Sequence, residues 1–322
     1  MVEVNMVSAI NMALDQEMKK DSSVIILGED VGVDGGVFRV TDGLIKKYGS
    51  NRVIDTPLAE SAIVGTSIGM ALNGLKPVAE IQFDGFIYPA FDQLISHAAR
   101  IRNRTRGKHS CQMVLRAPYS GGVRALEHHS ESMEALYAHI PGLKVVIPSN
   151  PYDAKGLLIS SIRDPDPVIF LEPKRVYRAI KQDIPEAEYT MPLGAAKVLQ
   201  EGNDVTLISY GAMMKTCLEA IQKQKHSVEV IDLRTISPLD YKAIIDSVKK
   251  TGRCVIVNEA PKSFSVAAEI IAIINEKALL SLEAPVERIT GFDTVMPLYK
   301  LEKDYIPSQE KIINGIEKVM KF

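Results

Sequence analysis

Short apolar runs recur along the chain, and most stop at a glycine, a proline or an acidic residue. Val24-Ile-Ile-Leu27 ends at Gly28, Val78-Ala-Glu-Ile81 follows Pro77, Val145-Val-Ile147 ends at Pro148, and Val168-Ile-Phe-Leu171 ends at Glu172-Pro173. The second half repeats the habit with Val205-Thr-Leu-Ile-Ser209, Val228-Glu-Val-Ile231 and Cys254-Val-Ile-Val257. Runs this short, nearly continuous in apolar character, predict strands buried on both faces. Between them the spacing turns helical, predicting helices over Ser61–Leu72, Pro89–Arg106, Tyr152–Ile162, Lys215–Gln224 and Phe264–Leu282. Alternating strands and helices predict an α/β fold with a mostly parallel sheet covered by helices.

One stretch breaks the alternation. Ile184-Pro-Glu-Ala-Glu-Tyr-Thr-Met-Pro192 is polar, carries two prolines and has no periodicity, which predicts a linker. It separates a larger unit, residues 1–183, from a smaller one, residues 193–322, with the linker at 184–192. A length of 322 residues agrees with about two domains.

Composition narrows the function classes. Lys and Arg number 38 against 40 Asp and Glu, so no global charge excess draws the chain to nucleic acid. Three distant cysteines, Cys111, Cys217 and Cys254, form neither a disulfide framework nor a paired zinc motif, and suit a reducing compartment. The first twenty residues carry Glu3, Asp15 and Glu17 and lack the apolar core of a signal peptide. No run approaches the roughly 18 apolar residues of a membrane span. The expectation is a cytoplasmic protein with no nucleic-acid or membrane partner.

Phosphate-loop, dinucleotide-fingerprint, nucleophile-elbow and HExxH motifs are all absent. Four features remain. In Asp55-Thr-Pro-Leu-Ala-Glu60, Pro57 fits a first helical turn with Asp55 or Thr56 as cap, which places Glu60 in that turn. Glu60 there serves either chemistry or the helix dipole. Ala62, Gly65 and Gly69 follow at helical spacing and predict a tight core or subunit contact. Second, Glu80-Ile-Gln-Phe-Asp-Gly-Phe86 leaves a strand, where Phe83 and Phe86 either stack on a planar ligand or fill the core. Third, Glu127-His128-His129-Ser-Glu131 follows the glycine-rich Ala117-Pro-Tyr-Ser-Gly-Gly122. Neighbouring histidines diverge and lack a third metal ligand, so the segment is either an inert loop or one carrying a proton-transfer histidine. Fourth, Arg100-Ile-Arg-Asn-Arg-Thr-Arg106 sits at a helix end where cations are favoured, which argues for structure over nucleic acid.

Taken together and in this order, these features are specific. The chain resembles the beta subunits of the thiamine-diphosphate-dependent decarboxylase component of 2-oxo acid dehydrogenase complexes (pyruvate, branched-chain or acetoin type). The resemblance spans nearly the whole chain, through Gly28-Glu-Asp-Val-Gly32, Gly36-Val-Phe-Arg39, Asp55–Glu60, Gln82–Phe86, His129-Ser, Ile140–Pro148, Asp153–Leu158, Asp204–Gly211 and Val230–Thr235. It implies a transketolase-like pyrimidine-binding domain followed by a smaller transketolase C-terminal α/β domain. It also implies an alpha subunit in an α2β2 heterotetramer, with each site between an alpha and a beta chain.

By that resemblance Glu60 holds the cofactor's aminopyrimidine ring nitrogen, so that the cofactor acts as its own base. Phe86 stacks on the same ring, with Gln82 and Leu58 lining the pocket. His129 serves proton transfer during substrate handling or acylation of the lipoyl group of the acyltransferase component; His128 has no assigned role. Where many family members carry Gln, this chain has Glu131, which would raise the pKa of His129 if the two met. The family's Gly-Asp-Gly motif for diphosphate and magnesium is missing, which implies that the alpha subunit holds both. A structural potassium on backbone oxygens of Met113, Ser161, Arg163, Asp164 and Asp166 is also implied. Which 2-oxo acid is used stays open. An assembly subunit without catalysis and a self-sufficient homodimer are the competing readings.

Overall fold

Parallel strands need long crossovers, and the helical segments between the apolar runs supply them. The computed structural model describes residues 1–322 and contains fourteen strands. As far as Ile184 these are β1 (Val2–Asn5), β2 (Val24–Gly28), β3 (Val53–Asp55), β4 (Lys76–Glu80), β5 (Val114–Tyr119), β6 (Lys144–Val146), β7 (Val168–Pro173) and β8 (Lys181–Ile184). Beyond it come β9 (Lys197–Gln200), β10 (Val205–Ser209), β11 (Val228–Asp232), β12 (Thr235–Ser237), β13 (Cys254–Val257) and β14 (Glu287–Ile289).

The larger sheet runs β3-β2-β4-β5-β7-β6-β12. All of its pairings are parallel except β6 with β12, which is antiparallel. The last strand therefore comes from beyond the linker, and the second half of the chain completes the first sheet. The smaller sheet runs β14-β13-β10-β11-β9, parallel except at β9. β1 and β8 form a separate antiparallel ribbon. One apolar cluster passes through both units, joining Leu115, Ile147 and Ile169 to Ile208, Ile256 and Ile270.

The stretch after Ile184 is clamped, not slack. Buried Lys155 donates to the carbonyls of Pro185, Glu186 and Ala187 at 2.6, 3.1 and 2.9 Å. Tyr189 stacks on Tyr152, with ring centroids 4.6 Å apart.

Two helical expectations are corrected. The stretch Pro89–Arg106 is helical without a break as far as Arg104 but not uniformly α: it winds as 3-10 over Asp84–Ala90, π over Gln93–His97, 3-10 over Ala98–Arg100 and α over Ile101–Arg104. Pro89 lies inside the first turn and cannot donate to a helical ladder. The second correction concerns the helix carrying Glu60. It begins at Glu60, with Ala59 before it and no side-chain cap. Pro57 lies outside it, and Asp55 instead accepts from the amides of Gly32 and Val33 at 2.5 and 3.0 Å. Its buried face is Ile63, Val64, Ser67, Ile68 and Ala71. Ala62 and Gly69 are exposed, and nothing lies within 4 Å of a Cβ placed on Gly69, so no tight core forms there within the chain.

No helix is long and apolar enough to cross a membrane. All three cysteines are free and buried, and burial raises the thiols of Cys111 and Cys217 to about 12.

Candidate active site

In an open parallel sheet, ligands bind beyond the carboxyl ends of the strands where the winding direction reverses. Here β3 lies to one side of β2 and β4 to the other, so the reversal falls between β2 and β4. Glu29 and Asp30 follow β2, Leu58 and Glu60 follow β3, Gln82, Phe83 and Phe86 follow β4, the loop to His129 follows β5, and Lys174 follows β7. The sequence candidates thus converge on one edge because each lies a few residues past a strand.

The edge divides into an acidic part and an aromatic part. Glu60 opens its helix, and its charge helps burial hold the Glu29 carboxyl above its ordinary pKa. Gln82 donates to Asp30 at 3.3 Å. Leu58 is 76% exposed, so it forms a rim and not a core. Beside them Phe83 and Phe86 meet edge to face at 5.7 Å, and His129 packs on both, 4.4 and 4.9 Å from their centroids.

His129 is half-buried, and its Nδ1 is shut away from solvent with no hydrogen-bond partner. Burial, the Lys174 ammonium and His128 together lower its pKa, so the neutral imidazole is favoured. Lys174 is itself buried, donates to the carbonyl of Ser120 and faces the buried carboxyl of Asp84. Burial outweighs Asp84 and brings the lysine down to about 8.

Glu131 does not couple to His129 as its sequence position suggests. Its carboxylate accepts from the Tyr88 hydroxyl and lies 3.4 Å from Nδ1 of His128, so it faces the neighbouring histidine. The two carboxyl-to-imidazole choices are one residue apart, and side chains one residue apart diverge.

Lys174, Asp84 and Glu259 were not legible as site residues. Lys174 and Asp84 meet across 90 positions, and Glu259 reaches Gly121 across 138. Only the placement of Lys174 directly after a strand could have drawn attention to it. Crowding also explains Gly85, in the turn beneath the loop. A Cβ on Gly85 would lie 2.4 Å from the carbonyl of His128, so glycine lets the loop settle onto the turn below it.

The set as a whole suits a flat heterocycle. It offers a carboxylate, an amide and an aromatic wall, with an imidazole nitrogen left unpaired. Met113, Ser161, Arg163, Asp164 and Asp166 gather elsewhere, at the turn before β7. There the side chains are already engaged, since Asp164 holds Lys144 at 2.6 and 2.7 Å and Asp166 holds Arg102 at 2.6 Å. The carbonyl of Met113 accepts one hydrogen bond, from Val168, and retains a second lone pair. A cation there would be held by backbone oxygens alone.

Comparison with known proteins matches the two halves separately. Residues 2–180 match the family described as transketolase, pyrimidine binding domain, and residues 194–312 match transketolase, C-terminal domain. The chain is 56% identical over 324 residues to "Pyruvate dehydrogenase E1 component subunit beta" of Acholeplasma laidlawii, covering all of this chain and 99% of the relative. It is 50% identical over 325 residues to the protein of the same description from Bacillus subtilis (strain 168), covering 100% of both. Among solved structures, "Split gene transketolase, inactive beta4 tetramer" superposes with a TM-score of 0.80 over 99% of this chain and 98% of that one. At 19% identity it shows the shared fold alone.

Proposed function

Because the chain belongs to the family of pyruvate dehydrogenase E1 beta subunits, built from transketolase pyrimidine-binding and C-terminal domains, we propose that it forms half of a thiamine-diphosphate site, completed by an alpha subunit. The joint reaction is oxidative decarboxylation of a 2-oxo acid of the pyruvate type, with transfer of the acyl group to the lipoyl arm of an acyltransferase. The observation that carries this reading is the convergence of Glu60, Gln82, Phe86 and His129 on the winding reversal of the larger sheet. The partner arrangement is an α2β2 heterotetramer in the cytoplasm. The alpha chain holds the diphosphate and magnesium, because this chain has no Gly-Asp-Gly segment. The units are residues 1–183 and 193–322, joined by 184–192.

When bound, thiamine diphosphate supplies the nucleophile for the 2-oxo carbon and the sink for the electrons left as carbon dioxide departs. Glu60 would hold a proton at the pyrimidine ring nitrogen, the contact that would let the cofactor serve as its own base. Phe86 would present a flat apolar face to the ring, with Gln82 and Leu58 bordering the pocket. His129, kept neutral by burial and Lys174, can take up a proton at the site mouth and return it. A potassium ion on the backbone oxygens of Met113, Ser161, Arg163, Asp164 and Asp166 would brace the turn before β7.

Glu60→Gln in the assembled protein is the test. It should lower 2-oxo acid-dependent reduction of an artificial electron acceptor by about 100-fold or more while leaving subunit assembly intact. Full activity in that variant would favour a docking subunit without catalysis.

A further inference from the structure

The loop that carries His129 is closed on itself and then fastened from the other half of the chain. The amide of Ser120 donates to the carbonyl of Glu131 at 2.8 Å, which brings the loop's two ends side by side. Over those ends sits Glu259, just beyond β13 of the smaller sheet and 4% exposed. One of its oxygens accepts from the amide of Gly121 at 2.6 Å and from the hydroxyl of Ser132 at 3.1 Å. Its other oxygen lies 3.1 Å from Arg175, next to Lys174. A second carboxylate from the same half, Glu302, accepts from the amide of Gly122.

From this arrangement we infer that Glu259 is a positioning residue: it clasps both ends of the 121–132 loop and so sets His129 against Phe83 and Phe86. The smaller unit, which supplies none of the groups argued above to meet the cofactor, thereby governs where the imidazole stands. Several details agree with a clasp. Gly121 and Gly122 let the loop lie close against the side chains of Met296 and Arg175. A Cβ on Gly121 would lie 2.7 Å from Met296, and one on Gly122 would lie 2.3 Å from Arg175. The loop's underside rests on Gly85, so it is held from above and below. A carboxylate accepting from a backbone amide and a hydroxyl while paired with a guanidinium makes charge-assisted bonds, stronger than neutral ones.

The inference rests on the role proposed for His129, so its test separates the two. In the holoenzyme assembled with its alpha subunit, E259A is expected to speed amide exchange in residues 121–132 about tenfold or more, because exchange reports local opening. Acyl transfer to a lipoyl domain should fall about tenfold to a hundredfold, the usual cost of a displaced catalytic group. E259Q keeps an acceptor oxygen and should recover most of that loss. S132A removes half of the clasp without a buried charge, and it gives a milder loosening if E259A does not fold. In an H129A background E259A should cost nothing more, because both changes remove the same contribution. Unchanged exchange at 121–132 in E259A and S132A overturns the clasp whatever His129 does. Additive losses in the double variant overturn its action through His129. An H129A protein with full acyl transfer would refute the role of His129 itself, leaving the exchange measurement to decide the clasp.

Discussion

His129 stands between two aromatic rings and a buried ammonium, and that surrounding decides its protonation. Burial comes first, then Lys174, then His128, and all three act against the imidazolium. Neutral His129 therefore persists to lower pH than an ordinary histidine. Lys174→Met removes a repelling cation, so the acid limb of the pH–rate profile should move up. No upward movement would contradict the role of Lys174. Glu131→Gln should leave that limb in place, because Glu131 faces His128 and Tyr88; an acid limb displaced in that variant would show a coupling the geometry lacks. Gln82 and Phe86 were legible because they follow the apolar run ending at Ile81, while Glu60 and His129 were singled out by the resemblance of their segments to the family. Lys174, Asp84 and Glu259 were not, because their meaning lies in partners about a hundred residues away, which no local pattern records.

At the scale of elements, three neighbouring strands are tied beneath the site by one buried arginine. Arg116 on β5 donates to Glu172 on β7 at 2.6 and 3.0 Å and to Glu80 on β4 at 2.7 Å. None of the three side chains is more than 5% exposed. Arg116→Met would leave two buried carboxylates uncompensated and should cost about 3–5 kcal/mol, read as a lowered urea midpoint of the assembled protein. A loss under about 1 kcal/mol would mean that the strands hold their register without the arginine. The turn Asp84–Ala90 makes a second case. Gly85→Ala drives a methyl into the carbonyl of His128, and should lower both stability and acyl transfer. Unchanged acyl transfer in that variant would show that the loop's seat is not critical. The strand runs at 24–28, 205–209 and 254–257 were readable from their apolar character alone. The helical stretch expected over 89–106 is present as far as Arg104 but changes winding along its length, which apolar spacing does not distinguish. β5, which holds Arg116, was missed because Arg116, Pro118 and Tyr119 interrupt its apolar run.

At the scale of the whole molecule, the chain has two α/β units with a shared apolar core, and a strand from the second unit completes the sheet of the first. The break in pattern after Ile184 was visible in the sequence, but not the clamping that Lys155 imposes on the segment. The crossing of β12 was not legible either, since a three-residue strand gives no signal of which sheet it joins. What the fold exposes at the winding reversal is one side of a site: a carboxylate, an amide, an aromatic wall and a histidine, with Leu58 open at the rim. One side of a site is insufficient alone. The direct measurement is 2-oxo acid-dependent reduction of an artificial electron acceptor, with thiamine diphosphate and magnesium present, by this chain alone and by the chain co-expressed with an alpha subunit. Activity is expected only in the pair, strongest with pyruvate in a panel that includes branched-chain acids. Turnover by the chain alone, as a homodimer, would contradict this expectation.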